Sequence, residues 1–173
     1  MSLTCVLGDI TRETSDVIVN SANQSLFAGS GVCGAIHRAA GRELEKECLK
    51  IKETLTDGFL PTGEAIITDG YNLYAKKVIH AVGPVFQDGT KNEPSLLKKT
   101  YQSALQLAEE HQLTSISFPS ISTGIYRFPV EAAADIAINT IKEFLTHANH
   151  IKDVRMVLFT EQDYQVYQQK NLS

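Results

Sequence analysis

Two stretches of this chain combine residue types suited to holding phosphate. The first is Ala28-Gly29-Ser30-Gly31-Val32-Cys33-Gly34, which runs straight into the helix-forming Ala35-Ile36-His37-Arg38-Ala39-Ala40-Gly41. Glycines lack a Cβ, so backbone N–H groups can come close to a ligand. A glycine-rich turn feeding a helix N-terminus adds free donors and partial positive charge, and both suit phosphate. The second stretch, far away in sequence, is Ser120-Ile121-Ser122-Thr123-Gly124-Ile125-Tyr126. Either alone reads equally well as a tight turn with a helix cap. Together they could clamp a pyrophosphate from two sides. Asn20 and Asn23 bracket Ser21-Ala22, which is more amide than a turn needs.

Gly29-Ser30-Gly31-Val32-Cys33-Gly34 also matches the G-x-G-x-x-G of dinucleotide-dependent dehydrogenases. That motif places its first glycine directly at a strand end, with an acidic residue about 20 positions later at the tip of a second strand. Here Ser21 to Ala28 intervene after Asn20, and residues 43 to 53 read as helix or loop. The dehydrogenase reading is therefore disfavoured. No Gly-Lys-Ser/Thr follows, so a P-loop is excluded. Cys5, Cys33 and Cys48 lack CxxC spacing, and with five scattered histidines they form no zinc motif. No metal and no cofactor is expected, and the thiols read as those of a reduced, cytoplasmic protein.

The elements that must position these residues follow from patterning. Leu3 to Leu7 reads as a short strand ending at Gly8-Asp9-Ile10-Thr11, and Asp16 to Asn20 as a strand covered on both faces. A helix is expected from Gly34 to Leu49, with Ile36, Ala40, Leu44 and Cys48 as its apolar stripe. Ile51 to Thr62 is polar and irregular, the most mobile segment on this reading. Strands are expected at Glu64 to Thr68, Lys77 to Val82, Thr114 to Phe118 and Asp153 to Phe159. Helices are expected at Glu93 to His111, from Pro129 onward and at Asp163 to Gln169. Alternation of this kind implies a mixed, mainly parallel sheet between helices, with ligand loops at the carboxyl ends of strands. The fold class is α/β: a single three-layer α/β/α domain over residues 1–173.

The 173 residues suffice to bury about 70% of the unfolded surface in one domain. Net charge is −4, from 16 basic and 20 acidic residues. With no basic face, the composition argues against nucleic-acid and membrane partners. Backbone N–H groups can still hold a phosphorylated small molecule without lysines. No signal peptide or membrane-length apolar run is visible.

Taken together, the motifs resemble the macrodomain family. The resemblance runs through Gly8-Asp9-Ile10-Thr11, Val17 to Asn23, Gly31 to Gly41, His80-Ala81-Val82-Gly83-Pro84 and Phe118 to Tyr126, in the family's order. It is closest to the MacroD type, which includes bacterial O-acetyl-ADP-ribose deacetylases and mono-ADP-ribosyl hydrolases. The resemblance implies ADP-ribose or O-acetyl-ADP-ribose as ligand, with mono-ADP-ribosylated proteins as further partners.

On that resemblance, Asp9, with Ile10 beside it, meets the adenine; its ordinary reading is a turn-forming Asp. Phe159 lies against the adenine ring, the alternative being a core aromatic. Gly31, Val32 and Gly34, with Ser122, Thr123, Gly124, Ile125 and Tyr126, hold the pyrophosphate. Asn23 hydrogen-bonds the distal ribose and Tyr126 closes over it. His37 and Arg38 read as structural or surface residues. Cys33 stands where this type usually carries an Asp that serves as general base or orients water. A carboxylate is ionised and accepts hydrogen bonds, whereas a thiol is a poor acceptor. The implied activity is hydrolysis of O-acetyl-ADP-ribose or mono-ADP-ribosylated protein, with Asn23, Tyr126 and Cys33 as the candidate catalytic residues. The alternative is a non-catalytic ADP-ribose reader.

Overall fold

A computed structural model describes residues 1–173. Its six strands are β1 (Ser2–Leu7), β2 (Val17–Ala22), β3 (Ala65–Asp69), β4 (Lys77–Val82), β5 (Ser115–Phe118) and β6 (Asp153–Leu158). The helices are α1 (Gly31–Ala40), α2 (Arg42–Glu53), α3 (Glu93–Glu110), α4 (Val130–Leu145) and α5 (Glu161–Leu172). The strands form one sheet in the order β1-β6-β5-β2-β4-β3. All neighbours are parallel except β3, which runs antiparallel to β4. The sheet is mixed and mainly parallel, as expected.

The two-residue period of a strand divides the core into two layers. Val17 and Val19 of β2 face a cluster that includes Leu97 and Tyr101 of α3, Ala133 and Ala137 of α4, and Tyr167 of α5. Ile18 and Ala22 face the opposite way, onto Ile36 and Ala40 of α1 and Leu44 and Cys48 of α2. The domain therefore has three layers. Asn20 shares the parity of Ile18 and Ala22, so a polar residue in the middle of an apolar strand is aimed beneath α1.

The expected helix from Gly34 to Leu49 is two helices. Gly41 adopts φ +91°, a conformation that L side chains rarely adopt, and a Cβ there would meet Asn72 Nδ2 at 2.9 Å. The chain turns at Gly41 while the four-residue stripe continues across the break, which is why periodicity alone reads it as one rod. Residues 51 to 62 are also more ordered than their composition implies. α2 continues to Glu53, Leu60 is buried, and its N–H donates to Gln24 O at 2.8 Å. Pro129 caps α4 and does not occupy its first turn. Boundaries elsewhere shift by three residues at most.

Candidate functional site

β2 and β5 are parallel neighbours, and each delivers one glycine loop at its carboxyl end. Between the loops lies a cleft of about 230 Å³, lined by both glycine loops and by Ser21 and Asn23 from the end of β2. On one side, α1 begins at Gly31, and its Ser30 cap makes no side-chain hydrogen bond to the helix. The N–H groups of Gly31, Val32 and Cys33 have no acceptor within the chain. The first turn of α1 thus presents bare donors and the positive end of a helix dipole to the cleft.

On the other side, none of the backbone N–H groups from Ser122 to Tyr126 donates to the chain. Five consecutive unengaged donors form a cradle of the kind that binds anions. This loop is fixed from beneath. Tyr101 Oη accepts from Ile121 N–H at 3.2 Å, and Ser120 Oγ lies 2.6 Å from Tyr167 Oη. Thr123 Oγ1 bonds back to Ser120 Oγ at 2.7 Å. A Cβ added at Gly31 or Gly124 would meet no atom within 4 Å, so both glycines open onto free space.

A chain of hydrogen bonds with a fixed direction runs from the sheet to the cleft. Thr68 Oγ1 donates to Asp69 O at 3.1 Å and so accepts from His80 Nε2–H at 3.0 Å. His80 Nδ1 is then an acceptor, and Asn20 Nδ2 donates to it at 3.1 Å. The other Asn20 N–H reaches Cys33 Sγ at 3.6 Å, and the Cys33 thiol donates to Phe27 O at 3.6 Å. Phe27 O also accepts from Asn23 Nδ2 at 2.9 Å, while Phe27 N–H donates to Asn23 Oδ1 at 3.3 Å. Cys33 and Asn23 thus share one acceptor, Phe27 O. Burial, and secondarily Cys33, pushes the Tyr126 phenol pKa up, so its hydroxyl stays protonated.

A family model described as Macro domain matches residues 19–137. This span covers both loops, the helix α1 between them and the buried chain beneath. The chain belongs to the macro domain family. The O-acetyl-ADP-ribose deacetylase of Escherichia coli K12 is 47% identical over 163 residues, covering 94% of this chain and 91% of that protein. A macro domain-containing protein of Cupriavidus necator is 48% identical over 168 residues, 97% of this chain and 96% of its own length. A mutant Oceanobacillus iheyensis macrodomain solved with ADPR superposes with a TM-score of 0.92. It is 49% identical, over 96% of this chain and 89% of that one.

Within this macro domain, Asn23, Gly31, Val32, Cys33, Ser122, Gly124, Ile125 and Tyr126 line one cleft. Other expected site residues stand differently. Gly34 N–H is taken by Ser30 O at 3.3 Å, and a Cβ there would lie 2.3 Å from Gly29 O. Gly34 is therefore needed for helix-to-loop packing and offers no free donor. Thr123 contributes its N–H alone, since its hydroxyl is tied to Ser120. The Ile10 side chain is buried among Ala22 and Ile36, leaving only its backbone for a ligand. Ser122 Oγ is buried without a partner, against the space a Gly83 Cβ would occupy at 2.2 Å.

Asp9 and Phe159 follow the carboxyl ends of β1 and β6, which pair in parallel up to Leu7 and Leu158. Asp9 caps a helical turn, with Oδ1 accepting from Thr11 N at 2.9 Å and Oγ1 at 2.7 Å. Its turn role is real, yet Oδ2 is unengaged. Phe159 is 80% exposed, so it is no core aromatic. His37 is buried and Arg38 exposed. Sequence reasoning missed His80, Ser21, Tyr101 and Tyr167; only the unexpected amide of Asn20 hinted at the buried chain. A larger groove of about 530 Å³, between α3 and β3, has no glycine loop.

Proposed function

We propose that this macro domain binds ADP-ribose and hydrolyses its derivatives, O-acetyl-ADP-ribose or a mono-ADP-ribosylated protein. The observation that carries the reading is the pair of unengaged N–H sets, Gly31 to Cys33 and Ser122 to Tyr126, across one cleft. They suit a diphosphate, and the helix dipole of α1 adds to the attraction. Adenine lies toward Asp9 and Phe159, with Asp9 Oδ2 accepting from its amino group and Phe159 stacking on the ring. The distal ribose then falls toward Asn23 and Tyr126.

The reaction is water attack on the acetyl ester or at distal-ribose C1. Ester cleavage takes up one water and releases acetate and ADP-ribose. The cleft lining holds no carboxylate, imidazole or amine. The group that accepts the water's proton is therefore the substrate's own phosphate, with Asn23 fixing the ribose and the Tyr126 hydroxyl donating to it. Cys33 supports Asn23 through Phe27 and is not the nucleophile.

Because no protein base faces the cleft, a second reading is a reader that binds ADP-ribose without turnover. Incubation with O-acetyl-ADP-ribose and with a mono-ADP-ribosylated protein, followed by mass spectrometry, separates the two. Free ADP-ribose forming faster than in Asn23→Ala supports the hydrolase. Binding with no release above the buffer rate identifies the reader.

A further inference from the structure

The buried polar side-chain atoms with no hydrogen-bond partner concentrate in two places. Ser122 Oγ borders the cleft; Asn20 Oδ1 and both ring nitrogens of His37 belong to the surroundings of His80, whose ring centroid is 6.2 Å from that of His37 and whose Nδ1 is 3.1 Å from Asn20 Nδ2. Leaving an imidazole away from water with neither nitrogen paired is costly. His37 is 7% exposed, and Cys48 and His80 are 1% exposed. One ligand atom from each lies within 4.8 Å of the others. Cys48 Sγ and His80 Nε2 are 3.9 Å apart. That matches the ~3.8 Å expected for sulfur at ~2.3 Å and nitrogen at ~2.0 Å around a trigonal ion.

We propose that His37 of α1, Cys48 of α2 and His80 of β4 form a buried site for a thiophilic closed-shell cation, copper(I) or zinc(II). The proposal is independent of the ADP-ribose reading. Burial holds both imidazoles neutral, His80 down to about 3 with some help from His37; the unpaired His37 ring has a lone pair to offer at once, and His80 offers Nε2 once its proton passes to Nδ1. Burial, and then Glu47, pushes the Cys48 thiol up to about 12, so it keeps its proton until a cation displaces it. On binding, one sulfur–metal bond forms, one proton leaves to solvent, and no oxidation state changes. With the metal on Nε2, His80 Nδ1 becomes a donor. A flip of the Asn20 amide brings its orphan Oδ1 to accept that proton, the usual outer partner of a ligating histidine.

One soft thiolate with two imidazoles in a dry pocket favours copper(I). A thiolate and a monovalent ion make a neutral site, which costs less to bury than a residual charge. Zinc would leave one positive charge and call on a fourth donor, Thr68 Oγ1, which lies 3.0 Å from His80 Nε2. The residues are 11 and 32 positions apart on three different elements, so no sequence motif could reveal them.

The test uses the full chain, stripped of metal and then offered copper(I) anaerobically or zinc(II), each against a competing chelator. One equivalent per chain should be retained, with a thiolate-to-copper absorption band in the copper arm. Retention of zinc alone would assign the site to zinc and confirm its location if the variants abolish it. Cys48→Ser and His37→Gln should each weaken retention by about a hundredfold or more. Imidazole nitrogen resonances of His37 and His80 in the unmutated chain should shift on loading, and those of His111, His147 and His150 should not. That readout stands even if a variant fails to fold. No uptake, undiminished uptake by Cys48→Ser, or shifts confined to the other histidines would overturn the proposal.

Discussion

Asn23 and Cys33 converge on one carbonyl, that of Phe27, and this decides what each can do. Asn23 is held through both ends of its amide, so its orientation is set before substrate arrives. Asn23→Ala is expected to lower turnover further than affinity, the mark of an interaction used mainly in the transition state. Cys33→Ala should keep most of the activity, and Cys33→Asp should raise turnover by about tenfold, or about 1.4 kcal/mol of barrier. Steady-state rates on O-acetyl-ADP-ribose check this; a dead Cys33→Ala would make the thiol the reacting group. On the proposed function, Asp9 has two jobs, the Thr11 cap and the adenine contact, so replacing it by alanine confuses them. Asp9→Asn retains an acceptor for the Thr11 cap and replaces the free Oδ2 by a donor. It should weaken ADP-ribose binding by about 1–3 kcal/mol and leave ribose 5-phosphate unaffected, as read by calorimetry. Equal losses for both ligands would reduce Asp9 to a turn residue. That the two glycine loops and Asn23 share one cleft was legible because glycines and amides at strand ends have few other uses. The role of Cys33 was not, because a thiol donating to a carbonyl leaves no pattern in sequence.

Helices and strands were legible wherever one apolar face repeats, as in α3, whose Leu97, Tyr101, Ala104 and Ala108 are all buried. The break at Gly41 was not, because the apolar stripe crosses it unbroken. The segment before α3 shows how an element supports the site at a distance. Glu93 is buried, and its carboxylate accepts from the N–H groups of Gln87, Asp88, Gly89 and Lys91. Those bonds, that of Gln87 foremost, hold its pKa down to about 2. The loop they order gives Phe86 N–H to Tyr126 O at 2.8 Å. A carboxyl held below its unfolded value of ~4.3 stabilises the fold above that pH, and loses the effect as pH falls toward 2. Glu93→Gln should therefore melt several degrees lower than the unmutated chain at pH 7, with the gap closing as pH falls from about 4 to 2. A constant gap in thermal melts across that range would contradict it. In the second loop, Gly124→Val places a side chain in open space, so the melting temperature should hold while ADP-ribose affinity drops at least about tenfold. Unchanged affinity would mean that the loop does not approach the ligand.

At the scale of the whole molecule, an acidic chain with a net charge of −4 presents a cleft for a doubly charged anion. No lysine or arginine lines that cleft, so attraction must come from oriented N–H groups and the end of α1. The sheet makes this possible by placing β2 and β5 side by side and parallel, which sets both loops at one edge. The most direct test is titration calorimetry of ADP-ribose and ribose 5-phosphate into the unmutated chain. The account predicts one ADP-ribose per chain, bound far more tightly than ribose 5-phosphate, which lacks both adenine and the second phosphate. It also predicts little change in affinity with added salt, because fixed backbone donors at contact distance are screened far less than exposed side-chain charges. Absence of ADP-ribose binding at about millimolar concentrations, or equal affinity for the two ligands, would contradict it.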